Sequence, residues 1–283
     1  MTPIRLVSFP ALLLLASGTL LGQPAPTPDP VLGNVWYGAV PPHGASARVL
    51  VFLHGLGGNA SFFWTNNDMY STAYNAGYRT AFISMNADNT RNNNTIAQNG
   101  AMVRQTLPVV LQHYQVKQVV LVCHSKGGLD AQYALASNAV LRGEVRAMFT
   151  LSTPNQGSAM ANWAFGPGKL YAQALGLLSP GMASLQTVYV QAYRAQWDPI
   201  FAAAGIPFYY LGGTDYSGNG LTSITGPILQ GLTREANDGL VAPSETLLPL
   251  PWGANMGTVP DNHFLVGTGS VSFPVILPYL LAL

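Results

Sequence analysis

Charge is what this chain lacks most. Asp, Glu, Lys and Arg make up 8% of its 283 residues, against roughly 25% in a typical soluble domain. Twelve basic residues meet eleven acidic ones, a formal net charge of +1. No basic stripe is present to neutralise phosphates, so nucleic acid is not an expected partner. Cysteine is equally scarce. A single Cys excludes an intramolecular disulfide framework and a thiolate zinc cluster. No repeat period is apparent, which argues against a solenoid. What the chain has is apolar content, 48% of residues, which excludes a charge-rich disordered protein. The length suits one domain with a large core.

Residues 1–22 read as an export signal. Arg5 is followed by an apolar run, Leu6 to Leu15, and by Ala16-Ser17-Gly18. Small residues at that spacing mark a cleavage site after Gly18, with a second candidate after Gly22. The run is too short, and too interrupted by Pro10, for a permanent membrane span. The expected location is therefore secreted, extracellular or periplasmic. Residues 23–33 follow as a stiff, proline-rich spacer, and residues 34–283 form the folded domain.

Apolar runs at Arg48–Leu53, Arg79–Ser84, Val116–Val122, Val145–Leu151 and Ile206–Leu211 read as buried strands. Helical stretches separate them, at Thr95–His113 (kinked or restarted at Pro108) and at Gly127–Leu141, and Ser270–Leu283 fits a final packing helix. This alternation predicts an α/β fold with a mostly parallel sheet flanked by helices. Between the fourth and fifth strands lies a long helix-rich insertion, read as a lid over about 159–199 or as a plain helical layer.

Leu121-Val-Cys-His-Ser125-Lys-Gly-Gly128 joins a strand to a helix. That is the setting of a nucleophile elbow, a sharp turn that lifts a serine hydroxyl above the sheet. Ser125 is the candidate nucleophile, although Cys123 stands where a glycine is usual. A catalytic thiol at Cys123 is the rival reading; a buried packing role is expected instead. His54-Gly55-Leu56-Gly57-Gly58 ends an earlier strand and supplies a glycine-rich loop. Acyl transfer builds negative charge on a carbonyl oxygen, and backbone amides of Leu56 and Lys126 are the expected oxyanion donors. A serine nucleophile needs a histidine base, and the order in this architecture is Ser, acid, His. His263 is the one histidine downstream of Ser125. Asp238, in the turn Asn237-Asp238-Gly239, is the leading acid and Asp215 the alternative. The four other histidines are read as structural or solvent-facing, with no metal site and no cofactor expected.

The chain resembles the secreted bacterial lipases of the α/β-hydrolase superfamily, the Pseudomonas and Burkholderia true-lipase group. The likeness rests on His54–Gly58, Cys123–Gly128, Ser152-Thr-Pro-Asn-Gln-Gly-Ser158 and Asn237–Val241, followed by His263. The resemblance implies an α/β-hydrolase fold, Asp238 as the acid and a helical lid after Ser158. It departs at Leu265, where that group carries a calcium-binding Asp, and in its single cysteine. The expected activity is hydrolysis of apolar carboxylic esters, a lipase or esterase, with a polyester depolymerase as alternative and a non-catalytic binding protein as the reading from another class. Among the aromatics near the loop and in the insertion, Phe63, Trp64 and Trp163 are the candidate substrate walls.

Overall fold

The computed structural model describes residues 23–44, 47–86, 93–249 and 251–283. The expected export signal lies outside the described residues. The strands are β1 (Thr27–Pro28), β2 (Val35–Tyr37), β3 (Val49–Leu53), β4 (Arg79–Ile83), β5 (Val119–His124), β6 (Val145–Leu151), β7 (Phe208–Gly213) and β8 (Gly253–Val259). They form one sheet in the order β1-β2-β4-β3-β5-β6-β7-β8. From β4 to β8 all neighbours are parallel, while β2 and β1 add an antiparallel edge.

The parallel strands are apolar throughout because both faces are covered. Val49, Val51 and Leu53 of β3 enter one core; Leu50 and Phe52 enter the other. The helices α1 (Met69–Asn75), α2 (Ile96–Tyr114), α3 (Lys126–Ala136), α4 (Ala139–Glu144), α5 (Ala159–Phe165), α6 (Lys169–Ala174), α7 (Pro180–Ala183), α8 (Thr187–Ala204), α9 (Gly220–Thr233) and α10 (Gly269–Ala282) complete the domain. Residues of α2, α3 and α8 build the first core, and those of α1 and α10 the second. None of the helices among the described residues is long and apolar enough to cross a membrane.

Several expectations are corrected here. Residues 23–33, expected as a stiff spacer, are tied to the sheet. Thr27 and Pro28 pair with Tyr37 and Trp36, Tyr70 Oη donates to the Pro24 carbonyl at 2.8 Å, and Tyr37 Oη donates to Asp29 Oδ2 at 2.9 Å. A proline-rich stretch fits a sheet edge because an edge strand leaves half its amides unpaired. Helix α2 continues through Pro108. Pro108 and Arg104, whose carbonyl loses its intrahelical partner, both lie on the solvent face of the helix, where losing that bond costs least. The helix expected over 127–141 is two, because Asn138 caps α4 by accepting from the Val140 and Leu141 amides. Strands β1, β2 and β8 are unforeseen: β2 is only three residues long, and β1 and β8 carry no apolar run. The insertion holds four helices, α5 to α8, and α8 packs through Val190, Trp197 and Phe201 into the first core.

Candidate active site

Ser125 sits between the end of β5 and the start of α3 with φ +55° and ψ −133°. A side chain rarely adopts this backbone, and the surroundings hold it there. The Ser125 amide donates to the Leu151 carbonyl at 2.8 Å, and the Ser125 carbonyl accepts from Thr153 Oγ1 at 2.8 Å. Thr153 belongs to the Ser-Thr-Pro-Asn segment singled out in the sequence. Gly127 is required: a Cβ there would lie 2.5 Å from the His54 carbonyl oxygen and 2.7 Å from that of Leu53. Cys123 is wholly buried in the first core, and burial pushes its thiol pKa up, which fits packing rather than reaction.

The glycine-rich loop lies directly against the serine. A Cβ on Gly55 would meet Ser125 Cβ at 2.6 Å and Oγ at 3.1 Å. His54 anchors that loop. Its Nε2 accepts from the Met85 amide at 3.0 Å, so its Nδ1 carries the proton and donates to the Gly55 carbonyl at 2.8 Å. Burial lowers the His54 pKa to about 4 and keeps the ring neutral. Lys126 opens α3, where the first amides have no intrahelical acceptor. Its side chain is fully buried and bonds Asp130 Oδ1 at 2.7 Å, while Asn99 Nδ2 bonds Asp130 Oδ2 at 2.7 Å. Burial lowers the Lys126 pKa and raises that of Asp130, and their contact opposes both shifts.

His263 meets Asp238. Its Nδ1 lies 2.8 Å from Asp238 Oδ2, and its backbone amide donates to the Asp238 carbonyl at 2.9 Å. The other carboxylate oxygen of Asp238 accepts from the Leu240 and Val241 amides at 2.9 and 2.7 Å. Asp238 is completely buried. Asp215, the alternative acid, is turned to its own loop: its carboxylate accepts from Ser217 N at 2.9 Å and Ser217 Oγ at 2.6 Å, bonds that lower its pKa.

Ser125, His263 and Leu56 line one cavity of about 490 Å³. Its walls are mostly apolar. Met160, Leu175, Leu177, Met182 and Leu185 come from the insertion, facing Phe62, Leu221, Val241 and Phe264. The insertion also reaches the glycine loop, because a Cβ on Gly181 would lie 2.5 Å from Leu56 Cδ1.

The three expected aromatic walls lie elsewhere. Phe63 is fully buried behind the loop, its ring 5.1 Å from Phe52. Trp64 packs on Trp36 and Phe82, at 5.7 and 5.0 Å. Trp163 sits against Tyr171 at 5.9 Å, with Gly168 beneath its ring. For two of them a neighbour takes the place: Phe62 precedes Phe63 in a 3₁₀ turn, and Met160 precedes Trp163 by three residues on α5. Also unforeseen are His124, read as structural or solvent-facing, and Asn93; both line the cavity. The Asn93 carbonyl accepts from Gly181 at 2.7 Å.

The chain is similar to known proteins over most of its length. The PGAP1-like alpha/beta domain family matches residues 45–174. Bacillus licheniformis lipase BlEst2 in its mature form is 31% identical, over 88% of this chain and 98% of that chain, with a TM-score of 0.77. The propeptide form of the same lipase is also 31% identical, over 88% of this chain and 53% of that chain, with a TM-score of 0.78. The metagenomic carboxyl esterase MGS0156 shares the fold at 22% identity, over 87% of this chain and 70% of that chain, with a TM-score of 0.59. No curated protein sequence matches. The chain belongs to the lipases and esterases of the α/β-hydrolase fold, and it is a carboxylic-ester hydrolase.

Proposed function

We propose that Ser125, His263 and Asp238 hydrolyse apolar acyl esters through an acyl-enzyme. The observation that carries this reading is the cavity shared by a strained elbow serine and a histidine bonded to a buried carboxylate. His263 Nδ1 faces Asp238, which leaves Nε2 to take the Ser125 proton as Oγ attacks the ester carbonyl. The Leu56 and Lys126 amides hold the oxygen on which charge develops; one such donor contributes about 3 kcal/mol in comparable sites. The proton then passes to the leaving alcohol, and water, activated by the same histidine, releases the acid. Asp238 fixes the imidazole tautomer and stabilises its charged form.

The substrate is an ester with an apolar acyl group, because the walls offer aliphatic carbon rather than charge. The export signal in residues 1–22 makes this an enzyme that meets its substrate outside the cytoplasm. Hydrolysis of p-nitrophenyl esters of graded length, emulsified triglyceride and polyester film tests the reading. Soluble or emulsified acyl esters are the expected substrates, since the insertion walls the cavity; faster release from polyester film than from any acyl ester would reverse that choice. Ser125→Ala is expected to lower kcat by about 10³-fold or more. Retention of activity in that variant would overturn the mechanism.

A further inference from the structure

Three parts of the proposed machinery converge on one side chain that the mechanism does not use. His124 precedes Ser125 on β5 and is buried. Its Nε2 lies 2.7 Å from the His263 carbonyl oxygen. A carbonyl only accepts, so Nε2 carries the proton and Nδ1 does not. The ring is held in place on several sides. Phe62 stacks on it at 4.7 Å and 18°. Gly267, in the 3₁₀ turn that follows His263, approaches so closely that a Cβ would lie 3.0 Å from His124 Cδ2 and 2.6 Å from Phe62 Cζ. On the unprotonated edge, a Cβ on Gly55 would lie 3.4 Å from Nδ1. The His263 ring itself is 4.8 Å away, tilted by 53°.

We infer that His124 is a positioning residue that locks the nucleophile turn, the glycine loop and the base segment into one register, donating its Nε2 proton to the His263 backbone. The inference rests on the proposed roles of Ser125 and His263. Its logic is geometric. The serine and the base come from segments 138 positions apart, and a displacement of about 1 Å between reacting groups costs up to ~10²-fold in rate. Here one ring is covalently next to the nucleophile and hydrogen-bonded to the backbone of the base. Neutrality matters as well. A charged imidazole 4.8 Å from His263 would oppose the imidazolium that forms there during turnover. Burial, followed by repulsion from His263 and opposed by the bond to the His263 carbonyl, lowers the His124 pKa to about 3. The ring therefore stays an uncharged donor while His263 cycles.

The experiment compares His124→Leu and His124→Gln on a soluble p-nitrophenyl ester, with kcat expressed per serine titrated by a phosphonate. Leucine keeps the bulk and deletes the donor; the glutamine amide restores an N–H at similar reach. His124→Leu is expected to lose about tenfold or more in kcat with KM within about twofold. His124→Gln is expected to recover most of the loss. Gly267→Ala, which crowds the ring without deleting it, provides a second variant with the same expected kcat loss. Leucine and glutamine variants that are equally impaired would overturn the inference, as would a leucine variant with unchanged kcat. Activity in Ser125→Ala, measured alongside, would overturn the triad reading and this inference with it.

Discussion

At Asp238 one carboxylate oxygen is taken by two backbone amides and the other by His263. The side chain is wholly buried, so the residue can do little except hold the ring. Asp238→Asn would turn an amide N–H toward Nδ1 and force the wrong tautomer. The expected loss in kcat is about 10²–10⁴-fold, against about twofold at most for Asp215→Asn, measured with one ester at one pH. A larger loss in the Asp215 variant would reverse the assignment. Residues constrained by chemistry were the legible ones. Ser125 is announced by strand, small residues and helix, and His263 by being the last histidine in the chain. Asp238 was separable from Asp215 only by turn context and by family resemblance. Phe63, Trp64 and Trp163 were misplaced because composition says that aromatics are near the loop but not which way each points. In the 3₁₀ turn Ala60–Phe63, two adjacent rings diverge, Phe62 to the cavity and Phe63 to the core.

At the scale of elements, the insertion is joined to the acid's loop by Glu245. Its Oε1 accepts from the Ala159 amide, the first residue of α5, at 2.5 Å. Its Oε2 accepts from the Ala242 amide at 2.7 Å, one residue beyond an amide that holds Asp238. Burial raises the Glu245 pKa from 4.5 to about 7, against the lowering effect of these two bonds. The sign follows. Between pH 4.5 and 7 the folded state keeps a proton that the unfolded chain releases, so this group's contribution to stability falls as pH rises through that window. Glu245→Gln keeps one acceptor and removes the titration. The variant's stability relative to the parent, from urea unfolding, is expected to improve as pH rises from 4.5 to 7; a constant difference would contradict this role. The parallel strands were readable as apolar runs because both their faces are covered. Strand β8 was not: it is a partly exposed edge, Gly253-Ala-Asn-Met-Gly-Thr-Val259, and gains its order from pairing with β7 rather than from its own side chains. Strand β1 depends in the same way on β2.

For the whole molecule, scarcity of charge becomes a matter of where the few titratable groups sit. Several are inside. Burial holds His54 at about 4 and His124 at about 3, while it raises Asp130 to about 6 and Glu245 to about 7. A histidine with a lowered pKa resists protons that the unfolded chain accepts below 6.5. Its contribution is therefore lost as pH falls from 6.5 towards its folded value. The buried carboxylates act in the opposite direction over much of the same range. The parent protein is thus expected to show little net change in stability between pH 4.5 and 6, with the opposition exposed by substitution. His54→Gln is expected to be less stable than the parent at pH 7, with a deficit that shrinks on acidification to pH 4.5. A deficit that grows would contradict the assignment of His54 as a neutral anchor.

The role of Ser125 is tested most directly by mapping where a serine-directed phosphonate attaches. The protein is labelled to completion, its ester hydrolysis is followed in parallel, and the modified peptide is identified by mass spectrometry. One adduct per chain is expected, on Ser125, with activity lost in proportion to labelling. Full labelling of Ser125 with hydrolysis intact, or loss of activity through an adduct at another residue, would contradict it.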